Sequence, residues 1–404
     1  MQIHWLWYTL MPELSAQHKM LLLEHFSDPE EIYQANEDAF AKFSYVTPAM
    51  KAALTNKDLT QAERVLKLCR DKDIGILTFY NELYPARLRN IVDPPLVLYY
   101  RGKLPHFNEL PVISVVGTRR ATPYGCRTAK RISGQIAACG AVVASGGTSG
   151  IDTSAMVGAL DAGTVVGVLA GGVDKVYPAA NTGLFELVAK QGCLISEYPP
   201  ETRPQKWFFA RRNRILSGIA NGVLVVEAPE DSGALITARQ AYQQGRDLFV
   251  VPGNIDVAAC AGSNALLRER GTAVLCGWDV VREYAPMYPG KIEKREFLEE
   301  DSGLALVAQE PEFPKLTQKR VKENDKKSID NTAVTAYSGI RDIPQELTQE
   351  QKQIVLCLSD TPVSVDLVID KVGLPAAKVL GILTVLSLKG IVQNYPGKRV
   401  ALRK

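Results

Sequence analysis

Residues 112–152 read VISVVGTRRATPYGCRTAKRISGQIAACGAVVASGGTSGID. An apolar run from Val112 to Val116 ends in Gly117-Thr118-Arg119-Arg120, and a second, 141–144, ends in Ser145-Gly146-Gly147-Thr148-Ser149-Gly150. Runs that are apolar throughout, rather than alternating, mark strands buried on both faces. The stretch between them is long enough for a crossover helix, so the unit reads as βαβ with parallel strands. Working outward, further short apolar runs lie at 165–169, Cys193–Ser196, 223–226, 248–251 and 273–275, with helix-like segments between nearly all of them. This alternation predicts an α/β fold, an extended Rossmann-like doubly wound parallel sheet, over residues 111–285.

The flanks differ in composition. Residues 1–75 read as a helical module: Asp28-Pro29-Glu30-Glu31 is a helix start, and Leu59, Ala62, Val65, Leu66 and Cys69 form one apolar stripe. Residues 76–110 read as a connector with short strands, built on the rigid turn Asp93-Pro94-Pro95 and the apolar run 96–100. Residues 286–345 carry mixed charge, Gln, Pro and Ser with few aliphatics, and are expected to be a flexible linker. In 346–404, a helix opening at Leu347-Thr348-Gln349-Glu350, a second after Ser364, a third over 374–389 and a hairpin around Pro396-Gly397 give a winged-helix outline.

Composition narrows the function classes. The chain has 404 residues, 46% hydrophobic and 23% charged, with a net charge of +3, which excludes a largely disordered protein and argues neither for nor against nucleic acid. No apolar run approaches the roughly 20 residues that span a bilayer. The start, Met1-Gln2-Ile3-His4-Trp5, lacks the basic region of a signal peptide, so a soluble cytoplasmic protein is expected. Seven scattered cysteines without a Cys-x-x-Cys pair argue against a disulfide framework and a zinc site, and four histidines make a His-based metal or triad site improbable. No metal and no cofactor are expected.

In open α/β sheets ligands sit at the carboxyl ends of the strands. From Arg101 to Arg131 there are seven basic residues against one acid, Glu109, and Arg119 and Arg120 fall at a strand end. Ser145, Gly146, Gly147 and Gly150 form a glycine-rich turn before a helix, which is an anion-binding nest and not a Walker loop. Asp152 is expected as a helix N-cap. Lys175 could meet a phosphate, and Tyr177 could stack on a base. Lys206-Trp207-Phe208-Phe209-Ala210-Arg211-Arg212-Asn213-Arg214 interleaves four cations with three rings, the chemistry that suits a single strand. Glu227, Glu230 and Asp231 read as a helix-start charge set more than as metal ligands. No histidine lies at these junctions and no nucleophile–base pair stands out, so the pattern points to a binder and not an enzyme.

Together these motifs resemble the DprA/Smf family of DNA-processing proteins over nearly the whole chain. The resemblance rests on Tyr84-Pro85, Asp93-Pro94-Pro95, Val116-Gly117-Thr118-Arg119, Ser145-Gly146-Gly147 with Gly150-Ile151-Asp152, and Asp174 with Tyr177-Pro178 and Asn181. It continues through Ser196-Glu197, Pro199-Pro200, Arg212-Asn213-Arg214, Val226-Glu227-Ala228, Ser232-Gly233 with Leu235-Ile236-Thr237-Ala238, and Val251-Pro252-Gly253. It implies a single-stranded DNA-binding protein that protects incoming strands and loads the RecA recombinase in natural transformation or recombination. It further implies a homodimer, with the helical part similar to a sterile-alpha-motif module and no established enzyme activity.

The DNA site would comprise Gly117, Thr118, Arg119, Arg120, Ser145, Gly146, Gly147, Gly150, Lys175, Tyr177, Asn181, Arg211, Arg212, Asn213 and Arg214. The dimer surface would involve Asn264, Leu266, Leu267 and Arg270. Two positions depart from the family pattern: Met156 stands where a His is common, and Ala210 where a Pro is common. The alternative class is a phosphoribohydrolase-like nucleotide-processing enzyme, whose catalytic Glu has no counterpart in the glycine loops here. The third helix of the winged part offers Lys378 and Lys389 on a mostly aliphatic background, a poor base-reading surface.

Overall fold

The apolar runs become strands of one nine-stranded sheet in the first of two units, Met1–Leu316 and Thr317–Lys404, of the computed structural model. The structure describes residues 2–295, 348–358, 363–372, 374, 376–388, 391–395 and 399–402. In chain order the strands are β1 (Gly75–Thr78), β2 (Val97–Gly102), β3 (Val112–Val116), β4 (Val142–Ser145), β5 (Val165–Val168), β6 (Cys193–Ser196), β7 (Gly222–Val225), β8 (Asp247–Val250) and β9 (Thr272–Ala273). Across the sheet they run β1-β2-β6-β5-β4-β3-β7-β8-β9. The seven from β6 to β9 are parallel, while β2 joins β6 and β1 joins β2 antiparallel. Every residue of β3 to β7 is buried, as unbroken apolar runs require.

The order reverses at β3, which lies between β4 and β7. That is the topological switch point, where the loops after β3 and β7 diverge and leave a crevice. Six core helices serve the site: α1 (Pro123–Ala138), α2 (Ile151–Leu160), α3 (Thr182–Gln191), α4 (Lys206–Ile219), α5 (Gly233–Gln243) and α6 (Ala261–Glu269). α1 starts where Thr122 accepts from Gly125 N–H and Pro123 takes the first turn. α2 is buried along all but its last residue and lies so close to α1 that a Cβ on Gly158 would stand 1.9 Å from the Lys130 carbonyl. Met156, the departure from the family pattern, is fully buried there.

Residues 76–110, expected as a connector with short strands, contribute nearly all of β1 and β2, and the apolar run 96–100 pairs with the edge of β6. One boundary is revised. Residues 286–295, expected to open the linker, still belong to the core: Ile292 is buried and Glu293 N–H donates to the Cys139 carbonyl at 3.2 Å. The rest of the expected linker, 296–345, lies outside the described residues.

The N-terminal helices begin as the sequence indicated, with Asp28 capping Pro29–Gln34 through Glu30 and Glu31 N–H. Trp5, Leu6, Trp7 and Tyr8 of Gln2–Thr9 are buried, as is Lys19, whose ammonium donates to the Thr9 and Met11 carbonyls at 2.8 and 2.9 Å. Burial, with the nearby Arg211 charge, pulls the Lys19 pKa down to about 8.

The second unit has helices Gln349–Leu356, Val365–Val372 and Ala376–Leu388 and a three-stranded antiparallel sheet of Val363–Ser364, Arg399–Leu402 and Val392–Tyr395. This is a winged helix, with Thr348 and Gln351 forming the capping box. On the third helix Lys378 is ion-paired to Glu350, and Gly381 and Val385 are exposed.

Candidate nucleic-acid interface

The loops after β3, β4, β5 and β6 meet at one sheet edge. Thr118 N–H donates to the Glu227 carbonyl at 2.7 Å and the Thr118 carbonyl accepts from Ile151 N–H at 3.2 Å, which ties the Arg119 loop to the start of α2. Thr118 itself is buried, and its hydroxyl accepts from Arg120 N–H at 3.2 Å. Gly150, at φ +79°, permits this contact: a Cβ there would stand 2.5 Å from the Thr118 carbonyl and 2.7 Å from that of Arg119. Gly147, at φ +67°, also takes the left-handed conformation that favours glycine.

The side chains of this loop point inward. Ser145 donates to the Val115 carbonyl at 2.8 Å and is fully buried. Asn181, also buried, donates to the Gly147 carbonyl at 3.0 Å and to Thr153 Oγ1 at 2.7 Å. Both were expected at the interface, and both hold it from beneath.

Asp152 was expected to cap α2, but Gly150 occupies the cap position. The Asp152 carboxylate is buried in the first turn of α2 and accepts from Thr148 N–H at 3.3 Å and Thr148 Oγ1 at 2.9 Å. Burial pushes its pKa up, opposed by Arg212, the Thr148 bonds and Arg119.

The cations divide into two groups. Arg119 and Arg120 are exposed, and the Arg119 guanidinium stands 4.8 Å over the Phe209 ring. Phe209 in turn meets Tyr177 edge-on at 5.6 Å between centroids, and Lys175 is exposed on the same loop as Tyr177.

The cations of α4 have other surroundings. Arg212, expected among the phosphate contacts, is only 3% exposed and donates to the Gly146 and Val168 carbonyls and to Asn213 Oδ1. A Cβ on Gly146 would stand 2.3 Å from its guanidinium, so Arg212 is the floor of the nest. Burial draws its pKa down to about 10, with Asp152 opposing and Arg119 adding to the shift. Arg214 is also buried and bridges Asp93 at 3.0 Å and Glu197 at 2.5 Å. Arg211 is exposed, yet it pairs with Glu197 at 3.2 Å and Asp93 at 3.8 Å. Asn213 is buried and positions Arg212.

Of the three neighbouring rings, Phe208 is buried and stacked on Tyr198 at 4.0 Å, Phe209 carries Arg119, and Trp207 is 58% exposed. Glu197 holds Arg211 and Arg214, and Glu227, expected in the charge set at the start of the helix that follows it, instead binds Thr122 at the start of α1. No local signal marks these roles, because the side-chain partners lie 14 to 105 residues away in the chain. Among the described residues no group of three or more His, Cys, Asp or Glu is placed to hold a metal ion, and no helix is long and apolar enough to cross a membrane.

The residues expected at a dimer surface lie on α6 and just after it. Asn264 ties down the loop before α6 through Gly253 N–H and carbonyl at 3.0 and 3.1 Å. Leu266 turns into its own core, Leu267 is half-buried, and Arg270 is exposed and stands 4.6 Å over the Tyr242 ring. Tyr242, Leu248, Leu266 and Arg270 line a groove of about 950 Å³.

A family model described as "DNA recombination-mediator protein A" matches residues 75–285, and one described as "DprA winged helix domain" matches residues 341–398. A DNA processing protein DprA of Bacillus subtilis is 38% identical over 239 residues, 58% of this chain and 80% of its own. A Protein Smf of Synechocystis is 29% identical over 100% of this chain and 99% of its own. The X-ray structure of DNA processing protein A from Streptococcus pneumoniae superposes with a TM-score of 0.63 at 28% identity, covering 70% of this chain and 98% of that one.

Proposed function

The chain belongs to the DNA recombination-mediator protein A family, whose relatives are named for DNA processing, and from that premise we propose that it binds single-stranded DNA across the loops after β3, β5 and β6. One observation carries the reading: the exposed Arg119 guanidinium lies over the Phe209 ring, which in turn meets Tyr177 edge-on. Cations there neutralise phosphates, and the rings offer faces for unpaired bases, which a duplex hides. Arg120 and Lys175 extend the cationic track. Gly117, Gly146, Gly147 and Gly150 let the loops pack closely on Ile151, Arg212, Phe185 and the Thr118 carbonyl, which shapes the surface beneath the strand. Arg212, Arg214, Asn213, Ser145 and Asn181 hold that surface from below.

In the cell the protein would act in the cytoplasm, protecting incoming strands and passing them to the RecA recombinase during transformation or recombination. The family's description as a recombination mediator supports this role. It acts as a binding protein and not an enzyme: Asp152, the buried carboxylate beneath the nest, is tied to Thr148 and lacks the freedom of a general base. Incubation with AMP should release no base. A homodimer would form through the α6 face, where Leu267 is half-buried and the groove beside it is lined by Tyr242 and Leu248. Leu267→Arg should then run as a monomer by light scattering.

The test of the central reading is a gel shift with single- and double-stranded oligonucleotides of equal length at matched salt. Preference for the single strand is expected, and equal affinity would contradict it.

A further inference from the structure

Glu227 follows β7 at the switch point and is 1% exposed. A carboxylate so buried needs partners, and here they are neutral hydrogen-bond donors. Its Oε2 accepts from Thr122 N–H at 2.9 Å and its Oε1 from the Thr122 hydroxyl at 2.5 Å. The same hydroxyl accepts from Gly125 N–H at 3.0 Å, so the carboxylate completes the cap of α1, where the helix dipole favours negative charge. Its own backbone carbonyl takes Thr118 N–H at 2.7 Å. One residue therefore grips both ends of the 118–122 loop, the loop that displays Arg119 and Arg120.

The glycines around it are shaped for this grip. A Cβ on Gly125 would stand 2.3 Å from the Glu227 carboxylate, and one on Gly117 would stand 2.8 Å from the Glu227 carbonyl. Gly125 lies in the first turn of α1, where alanine would otherwise favour the helix. Its lack of a side chain makes room for the carboxylate.

We infer that Glu227 is a positioning residue: it fixes the 118–122 loop so that Arg119 meets the strand already oriented. The inference rests on the single-strand reading above, since it assigns a role within that site. Preorganisation lowers the ordering entropy of binding and adds no phosphate contact. Loss of the grip should weaken affinity while the salt dependence stays as it was.

The test uses the full chain, a fluorescent oligo-dT probe and five variants, Arg119→Ala among them. Glu227→Gln and Gly125→Ala should each lower single-strand affinity about five- to tenfold with an unchanged slope of log K against log salt. Both should also speed tryptic cleavage after Arg119 and Arg120. Thr122→Ser, which keeps the hydroxyl, should behave as the parent chain. In the double variant Arg119→Ala/Glu227→Gln the losses should not add, because the second acts through the first; general damage to the fold would add to the effect of Arg119→Ala. Parent-like binding and cleavage in Gly125→Ala and Glu227→Gln would overturn the inference, as would additive losses. The cleavage rate needs no DNA: unaltered cleavage sinks the loop grip by itself, whereas a parent chain that ignores oligo-dT sinks the single-strand reading instead.

Discussion

Arg119 and Arg212 stand on the two sides of one glycine loop, and their surroundings are opposite. Arg119 is exposed, with an aromatic face beneath it and solvent in front. Arg212 is buried, with its donors spent on the Gly146 and Val168 carbonyls and Asp152 close by. Arg214 follows Arg212 in kind, bridging Asp93 and Glu197. The same side chain thus serves as a contact in one place and as scaffold in the other. What separates them is the supply of acceptors: carbonyls and carboxylates capture the buried Arg212 and Arg214, and the β3 loop leaves Arg119 facing outward.

Replacing the two residues should break the comparison if it is wrong. Arg212→Ala strips two buried carbonyls of their donor and leaves Asp152 without its nearest cation. A loss of about 3–5 kcal/mol of unfolding free energy is expected in urea titrations. A loss below about 1 kcal/mol would make Arg212 a surface-like residue after all.

Lys19 sharpens the point as a buried cation held by carbonyls. Its folded pKa, about 8, lies below the ordinary lysine value of 10.5. Between those values the unfolded chain binds more protons, so stability rises with pH across that window. The rise attributable to Lys19 is up to about 3 kcal/mol. The pH dependence of unfolding in Lys19→Met, compared with the parent chain from pH 7 to 10.5, should lack this component. Identical profiles would mean that Lys19 is not buried in its charged form.

Arg119→Ala should do the reverse of Arg212→Ala. Its unfolding midpoint should match the parent, while single-strand affinity falls by about 1.5–3 kcal/mol, the range of a charge-assisted hydrogen bond. The smallest effect belongs to the ring below: Phe209→Leu should weaken oligo-dT binding by about 1 kcal/mol at every salt concentration, since stacking carries no counterions. A change in salt slope in that variant would show that Phe209 works only by holding Arg119.

The comparison also shows what the sequence could tell. The parallel strands were legible because each is an apolar run closed by glycine or a polar turn, and Asp28 and Thr348 announced their helices as caps. The glycine nest after β4 and the outward Arg119 were legible for the same local reason. The sorting of Arg211, Arg212 and Arg214 was not. Asp93 lies 121 residues from Arg214, and the Gly146 carbonyl lies 66 residues from Arg212. Neither pairing leaves a trace in spacing. Glu227 was illegible too, because its partner Thr122 lies 105 residues away and the pocket for its carboxylate is the missing side chain of Gly125. The short strands within 76–110 were legible as apolar runs, but their place at the sheet margin was not, because edge pairing with β6 is a property of the sheet and not of the run itself.

The most direct measurement is the salt dependence of oligo-dT binding by the parent chain and by Arg119→Ala. With Arg212 and Arg214 committed to the scaffold, two to four phosphate contacts remain for Arg119, Arg120, Lys175 and Arg211. Single strands lose about 0.7 in slope for each neutralised phosphate, so log K against log salt should fall with a slope of about −1.5 to −3. Arg119→Ala should be shallower by about 0.7. A parent slope near zero, or an Arg119→Ala line that coincides with the parent, would contradict the assignment of this loop as the single-strand contact.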